Sequence, residues 1–174
     1  RFDFNKAHEH PLWYKELHGF ASHTPETEEY GVRSFVYRAR RPFDPERFQS
    51  FIDKGWPGVV RAKGFFWLAT RPDFVGEISQ AGALVRTGKR GRWWSSVPKQ
   101  YWPEEPEWQR AMEPYFHKVW GDRRQEIVFI GVDPMQEDAL VGELDQCLLE
   151  EEDFVPERWS GLKDPFPNWS AAAA

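Results

Sequence analysis

The sequence predicts an α+β domain, with a mainly antiparallel sheet and helices packed on one face. Its 174 residues, 40% of them hydrophobic, suffice for one domain with a sizeable core. Its apolar segments alternate between a period of two, typical of strands, and the i, i+3, i+4 spacing of helices. Their order is strand, helix, two or three strands, helix, strand, helix. From that order we expect a ferredoxin-like, split βαβ arrangement.

The first strand and the first helix follow from local signals. Residues 32–40 are rich in β-branched and aromatic side chains and precede Pro42, which predicts a strand with a proline stop. Asp44 then offers an N-cap, with Pro45 at the first helical position. The apolar side chains of this helix share one face: Phe48, Phe51 and Ile52.

The middle of the chain predicts three more strands. A long second strand covers Val59 to Thr70, after the break at residues 55–58. Residues 81–86 and 91–95 are predicted to pair as a hairpin around the turn Thr87-Gly88-Lys89.

The last third of the domain predicts a helix, a strand and a helix. Pro106 opens a helix that runs to about Phe116. Residues 125–131 are apolar on both faces, as expected of a central strand. Asp133-Pro134 is predicted to cap the final helix, with Gln136 at the capping-box position. The buried stripe of that helix is predicted to be Leu140, Leu144, Cys147 and Leu148.

The composition divides the chain into four zones. Residues 1–29 carry four of the five histidines and are interpreted as an arm or linker. Residues 30–153 form the predicted domain. Residues 154–170 contain three prolines and are interpreted as an extended tail, and residues 171–174 as a cloning remnant. Four aromatic side chains are expected to hold the tail on the domain: Phe154, Trp159, Phe166 and Trp169.

Charge and composition exclude several classes of protein. A net charge of -5 disfavours a general binder of nucleic acid, although Arg86, Lys89, Arg90 and Arg92 form a local basic patch. No apolar run approaches about 18 residues, so we expect no membrane span. The single cysteine excludes an internal disulfide framework and fits a reducing cytoplasm, where we expect the protein. Ten tryptophans argue against disorder.

The second strand offers a candidate binding surface. Residues 63–70 resemble the aromatic strand of RNA-recognition motifs, but Phe66 and Thr70 depart from that pattern. Alternation predicts that one face of the strand packs in the core, namely Val60, Ala62, Phe66 and Leu68. The opposite face would present Arg61, Lys63, Phe65 and Trp67. Cations interleaved with aromatic rings are also typical of a protein interface, which is the interpretation we prefer.

Signals for metal binding and catalysis are sparse. His8 and His10 could hold zinc or a similar ion if the arm is extended or irregular, although solvated linker histidines have the same pattern. Cys147 falls on a predicted apolar stripe, where a thiol usually packs. No Gly-rich phosphate loop is present, since Thr87 to Gly91 lacks the required spacing. The residues alone therefore support no enzyme.

Five segments, in order, resemble one family. They are Thr24–Tyr37, Arg41–Phe48, Arg61–Pro72, Gly121–Gly131 and Leu144–Leu149, the fourth reading Gly-Asp-Arg-Arg-Gln-Glu-Ile-Val-Phe-Ile-Gly. Together they resemble the C-terminal domain of the CobW-type GTPases, a family linked to metal delivery. The stretch Pro165-Phe-Pro-Asn-Trp is similar to the tail of its zinc-linked branch.

The resemblance implies that two domains of the parent protein carry different functions. The family's P-loop, magnesium ligands and Cys-x-Cys-Cys metal motif belong to an N-terminal GTPase domain, and none of them occurs in this sequence. The parent protein would use GTP, magnesium and zinc, whereas this chain would bind no cofactor and catalyse nothing. Its implied partners are that GTPase domain and a metal-dependent client protein. A stand-alone zinc module using His8 and His10, and an RNA-binding sheet, remain the alternatives.

Overall fold

The computed structural model describes residues 31–150 and 156–169. All the elements below lie in one of the two units into which the chain divides, the unit that begins at Arg33. Five antiparallel strands form one sheet in the order β1-β5-β2-β3-β4. They are β1 (Arg33–Ala39), β2 (Val59–Phe66), β3 (Phe74–Ala81), β4 (Leu84–Arg92) and β5 (Gln125–Gly131). The α+β class with a mainly antiparallel sheet is confirmed.

The strand order contains one split βαβ unit. Strands β1 and β2 each pair antiparallel with β5, so they run parallel to one another with β5 between them. Strands β2, β3 and β4 then continue as an antiparallel meander, and no strand follows the helix after β5 in the described sequence. The complete ferredoxin-like arrangement is therefore not confirmed.

Four α-helices accompany the sheet in the described part of the chain. They are α1 (Pro45–Lys54), α2 (Pro106–Met112), α3 (Glu137–Cys147) and α4 (Pro156–Trp159). The two long helices, α1 and α3, cover one face of the sheet. Among residues 31–150 and 156–169, no helix combines the length and apolar composition needed to cross a bilayer.

The capping prediction holds for α1 and fails for α3. The Asp44 carboxylate accepts a hydrogen bond of 2.9 Å from the Arg47 N–H, and Pro45 occupies the first turn. Helix α3 begins instead at Glu137, and its N-cap Gln136 makes no side-chain capping bond. Asp133-Pro134 lies upstream of the helix as part of the connection from β5. Burial of the predicted stripe holds α3 in place instead.

The main core lies between the sheet and helices α1 and α3, and aromatic rings dominate it. Phe43 stacks on Phe48 with ring centroids 4.4 Å apart, and Phe35 stacks on Phe129 at 5.1 Å. Such pairs add to the free energy gained by burying their area. Side chains from every long element join them, including Ala62, Phe66, Ile78, Ile127 and Leu144.

Strand β2 is shorter than predicted and contains a bulge. It ends at Phe66 rather than Thr70. Val59 pairs with Gly131 and Arg61 with Ile130, so Val60 is an extra residue without a partner. The prediction that Val60 packs in the core is therefore wrong, because the bulge leaves its side chain 47% exposed.

The hairpin was predicted at the wrong turn. Strands β3 and β4 connect through Gly82 and Ala83, and Gly82 has a φ of +58°, which a two-residue hairpin turn commonly requires. Gly88 and Gly91 instead lie within β4, where the chain does not turn. A Cβ at either position would have no atom within 4 Å, so packing does not require glycine there. From the sequence, glycines within a strand were therefore mistaken for turn residues, and β3 was not predicted.

A clamp centred on Arg71 fastens the C-terminal segment to the sheet. The Arg71 guanidinium donates to both carboxylate oxygens of Asp164 at 2.7 and 2.9 Å, and to the carbonyls of Phe166 and Pro167. It also lies 4.3 Å from the ring centroid of Trp169. Phe166 and Trp169 are buried in the main core, so the clamp closes one end of it.

We predict that Asp164→Asn lowers the free energy of unfolding by about 2–3 kcal/mol, because the side chains of Arg71 and Asp164 are only 14% and 17% exposed. Urea denaturation followed by tryptophan fluorescence measures this. The matched control is Arg92→Ala, which breaks an exposed pair with Asp73 and should cost less than about 1 kcal/mol. Equal losses for the two variants would contradict the clamp.

The same pair predicts a pH dependence. Burial alone would raise the pKa of Asp164, but the hydrogen bonds from Arg71, Thr70 and the Phe166 N–H outweigh it and hold that pKa below its usual range. A lowered pKa in the folded state means that the stabilisation is present above about pH 4 and is lost as the pH falls through the folded value. The stability difference between wild type and Asp164→Asn should therefore shrink in acid.

Candidate partner-binding surface

The face of the sheet opposite α1 and α3 contains most of the predicted binding residues of β2. Arg61 and Lys63 are exposed there, and Phe65 is half-buried. Lys63 lies 3.9 Å from the Glu77 carboxylate on β3, while Arg61 pairs across the strands with Ala81 and Ile130. The structure thus brings Arg61, Lys63 and Phe65 together on one surface.

Trp67 does not belong to that exposed surface, and the prediction of its exposure is wrong. Its side chain is fully buried in a second cluster with Ala69, Trp93, Leu149 and Trp159. Phe65 packs against the same cluster, so alternation assigned both rings to the correct side of the sheet. What alternation misses is that segments distant in sequence cover this end of the second face.

Three aliphatic side chains complete the open part of the face. Val36 pairs with Val128, and Val128 also pairs with Lys63, so these residues adjoin across three strands. Ile130 lies two residues further along β5, on the same face, and pairs with Arg61. Val128 is 37% exposed, and Val36 and Ile130 are partly exposed. Only the strand register, which local sequence does not give, identifies this strip.

Cations lie beside the aliphatic strip on β1 and β2, and further along the same face on β4. The strands contribute two carboxylates to this side of the sheet, Glu126 and Glu77. They are outnumbered by five cations: Arg38, Arg61, Lys63, Arg86 and Arg90. Arg38 pairs with Glu126 at 3.4 Å, and Arg90 lies 3.8 Å from Glu77. Arg61 and Arg86 have no carboxylate partner among the residues the structure describes. We call this surface, defined by Val36, Val128, Ile130 and these cations, the open sheet face.

The segment 121–125, Gly-Asp-Arg-Arg-Gln, fixes the boundary of the open sheet face. Gly121 has a φ of +62°, and a Cβ there would lie 2.3 Å from the Ser95 Cβ, so any other residue would be strained. The buried carboxylate of Asp122 accepts the N–H groups of Trp94 and Ser95, both at 2.9 Å. These contacts hold the turn after β4 against the start of β5.

The two arginines of this segment tie neighbouring loops together. Arg123 donates to the Pro72 carbonyl at 2.6 Å and to the hydroxyls of Ser95 and Ser96. Arg124 donates to the Glu126 carboxylate at 2.7 Å and lies 4.2 Å from the Tyr115 ring centroid. Both are structural residues, since their charges are already engaged.

Gln125 ends the segment with its side chain fully buried. Its Oε1 accepts the Trp67 N–H at 3.0 Å, and its Nε2 donates to the carbonyls of Trp67 and Arg41 at 3.0 and 2.9 Å. The side-chain amide thereby replaces a strand partner where the chain leaves β2. The sequence motif was visible, but these contacts could not be inferred from it.

The described residues do not fit a metal site. Residues 31–150 and 156–169 contain no group of three or more His, Cys, Asp or Glu side chains placed to bind an ion. His8 and His10 lie outside the described residues. Cys147 is buried, and burial raises the pKa of its thiol to about 12, so it remains protonated at neutral pH.

Comparisons with known proteins agree with the resemblance seen in the sequence. A family model described as the cobalamin synthesis protein cobW C-terminal domain matches residues 32–148. The zinc-regulated GTPase metalloprotein activator 1 of Dictyostelium discoideum is 40% identical over 169 residues, covering 94% of this chain. A zinc chaperone of Mycobacterium tuberculosis is 31% identical over 140 residues, covering 76% of it.

The chain spans about a third of the length of these curated relatives, 35% and 34% respectively. Among solved structures, the zinc-bound YjiA GTPase from E. coli aligns with a TM-score of 0.49 and 14% identity. That alignment covers 74% of this chain and 33% of the other.

We predict that Gln125→Leu lowers the free energy of unfolding by about 3–5 kcal/mol, because it leaves the Trp67 N–H and the Arg41 carbonyl without their partner at similar side-chain volume. Urea denaturation measures the loss. The matched control, Gln109→Leu, changes an exposed glutamine and should stay within about 0.5 kcal/mol of wild type. A loss below about 1 kcal/mol for Gln125→Leu would contradict the proposed role of its amide.

Proposed function

We propose a function from the premise that this chain belongs to the family of the cobalamin synthesis protein cobW C-terminal domain. In this proposal it is the accessory domain of a metal-chaperone GTPase, most directly a zinc chaperone, and its task is to bind a partner. The observation that carries the proposal is the open sheet face, a partly exposed aliphatic strip on a face whose cations outnumber its carboxylates.

The names of the relatives support the part of the proposal that concerns zinc and GTP. Both curated relatives are named for zinc, one of them also as a GTPase, and this chain matches only 35% and 34% of their lengths. In this proposal GTP, magnesium and the main zinc site belong to the part of the parent protein that this sequence does not contain, and the chain alone turns over no nucleotide. The cytoplasm as its location also remains a proposal.

The chemistry of the open sheet face defines its partner. Val36, Val128 and Ile130 provide the apolar centre that a protein interface needs. The unpaired charge of Arg61 adjoins it and that of Arg86 lies further along the same face, so the complementary surface has an apolar centre with Asp or Glu to one side. We infer that the GTPase domain of the parent protein presents this surface, and that a metal-dependent client binds the assembled pair.

Such docking gives the domain a means to couple nucleotide state to metal delivery. Coupling requires that the contacts differ between two states of the protein. Contacts to the cations of the open sheet face would form in one nucleotide state and weaken in the other. The GTPase domain would then hold or release this domain according to the bound nucleotide.

Two alternatives receive less support. Base stacking needs exposed rings, but Trp67 is buried and Phe65 packs against the second cluster, so the sheet does not favour RNA binding. A stand-alone zinc site at His8 and His10 remains a prediction about residues outside those described.

We predict that Arg61→Glu with Lys63→Glu weakens binding to a separately produced GTPase domain of the parent protein by about tenfold or more. Two reversed charges repel the acidic edge of the partner and slow association. Surface plasmon resonance at two salt concentrations measures this, and the loss should be smaller at high salt.

The matched control is Arg47→Glu, an exposed reversal on α1 on the other side of the sheet, which should leave affinity within about twofold of wild type. Unchanged binding by the double variant, or an equal loss in the control, would refute docking through the open sheet face.

A further inference from the structure

A lobe of the chain gathers aromatic side chains, most of them outside both hydrophobic clusters. Residues 94–120, which we call the aromatic lobe, connect β4 to β5 and include α2. None of these residues is buried, although four tryptophans, a methionine and a phenylalanine among them are half-buried. The main core is complete without these side chains, and Trp120 alone among them packs against the second cluster. Their apolar surface is therefore available for another purpose.

The rings of the aromatic lobe hold one another in fixed positions. Trp108 meets Trp94 edge to face at 4.8 Å and Trp102 at 5.8 Å, and Trp102 lies 5.2 Å from Phe116. The Trp102 indole N–H donates to the Val97 carbonyl at 2.8 Å, which fixes the orientation of that ring. A surface of mutually packed rings loses little conformational entropy when it binds.

These rings line a groove of about 530 Å³, within the range typical of binding pockets. Its apolar wall consists of Trp102, Pro103, Trp108, Met112 and Phe116. Aromatic residues and methionine are enriched at the centres of interfaces, where methionine adapts to differently shaped partners. The wall thus has the composition of an anchor pocket for an apolar side chain.

The edge of the groove is acidic and unpaired. Glu104 and Glu113 line it, and Glu105 and Glu107 lie beside them at the start of α2. The structure gives none of these four glutamates an ion pair within residues 31–150 and 156–169. The lining holds one cation, Lys99, whose ammonium lies 6.0 Å from the ring centroid of Trp102. That contact shows that a cation can pack on the face of the Trp102 indole.

We propose that the groove of the aromatic lobe binds a short peptide segment of a partner protein, with an apolar anchor side chain flanked by lysine or arginine. The anchor packs against the wall that Trp102 and Trp108 form together, and the flanking cations meet the glutamates of the edge. This goes beyond the proposed function, since it is a second surface of opposite charge to the open sheet face. The two surfaces therefore select different partners, or different parts of one partner.

The test titrates the full chain with three synthetic peptides and records the indole N–H resonances by NMR. One peptide has a Leu-Phe-Leu centre with lysine flanks, one has the same centre with glutamate flanks, and one has a Ser-Gly-Ser centre with lysine flanks. We expect only the first to bind saturably, with a dissociation constant of roughly 10–500 µM, and to shift the indole signals of Trp102 and Trp108.

Two variants locate the site. Glu104→Gln with Glu113→Gln changes only exposed carboxylates and should weaken binding by roughly three- to tenfold. Trp108→Ala should weaken it by about tenfold or more. Tyr101→Ala, an exposed ring outside the groove lining, is the matched control and should leave the affinity unchanged. If Trp108→Ala disturbs the fold of the lobe, the glutamate variant still decides.

The proposal is overturned if no peptide binds, if the glutamate-flanked peptide binds as well as the lysine-flanked one, or if the glutamate variant binds normally. It is also overturned if a second copy of the chain fills the groove. In that case sedimentation would show a dimer that Trp108→Ala dissociates.

Discussion

The side-chain amide of Gln125 resolves a conflict that arises where β2 ends. Beyond Phe66 the chain leaves the sheet; the Trp67 carbonyl then accepts the Phe43 N–H at 3.1 Å, and the buried Trp67 N–H bonds to the Gln125 side chain rather than to a strand. The Gln125 amide supplies both a donor and an acceptor to Trp67 and joins it to Arg41. Residues 66–69 then contribute alternately to the two hydrophobic clusters, Phe66 and Leu68 to one, Trp67 and Ala69 to the other. Both clusters thus depend on one buried amide, because an unpaired polar group there would be costly.

The same short segment also separates the two surfaces. Gly121 and Asp122 hold the turn that begins the aromatic lobe, and Arg123 anchors it to the loop before β3. The lobe therefore leaves the sheet at a fixed point, so that Val36, Val128 and Ile130 remain uncovered. A protein with a net charge of -5 can in this way present a basic face and an acidic groove separately. Their opposite charges favour surfaces of opposite charge to each, which agrees with the proposed function.

Local signals in the sequence were sufficient where neighbours in the chain determine the structure. Asp44, Pro45 and the spacing of Phe48, Phe51 and Ile52 specify α1 without reference to the rest of the fold. Prediction failed where distant segments decide. The burial of Trp67 depends on Trp93 and Trp159, and the aliphatic strip depends on the register of β1, β5 and β2. The glycines within β4 led to the wrong turn for a related reason. Without knowledge of which strands pair, a glycine inside a strand cannot be distinguished from a glycine in a turn.

The central claim is that the open sheet face docks the GTPase domain. Methyl NMR tests it most directly, with the chain labelled at valine and isoleucine methyl groups and titrated with the GTPase domain of the parent protein. The account predicts that the methyl signals of Val36, Val128 and Ile130 shift or broaden, whereas Ile78 and Ile127, buried on the opposite side of the sheet, remain in place. Binding that leaves the three open-face residues unchanged would contradict it.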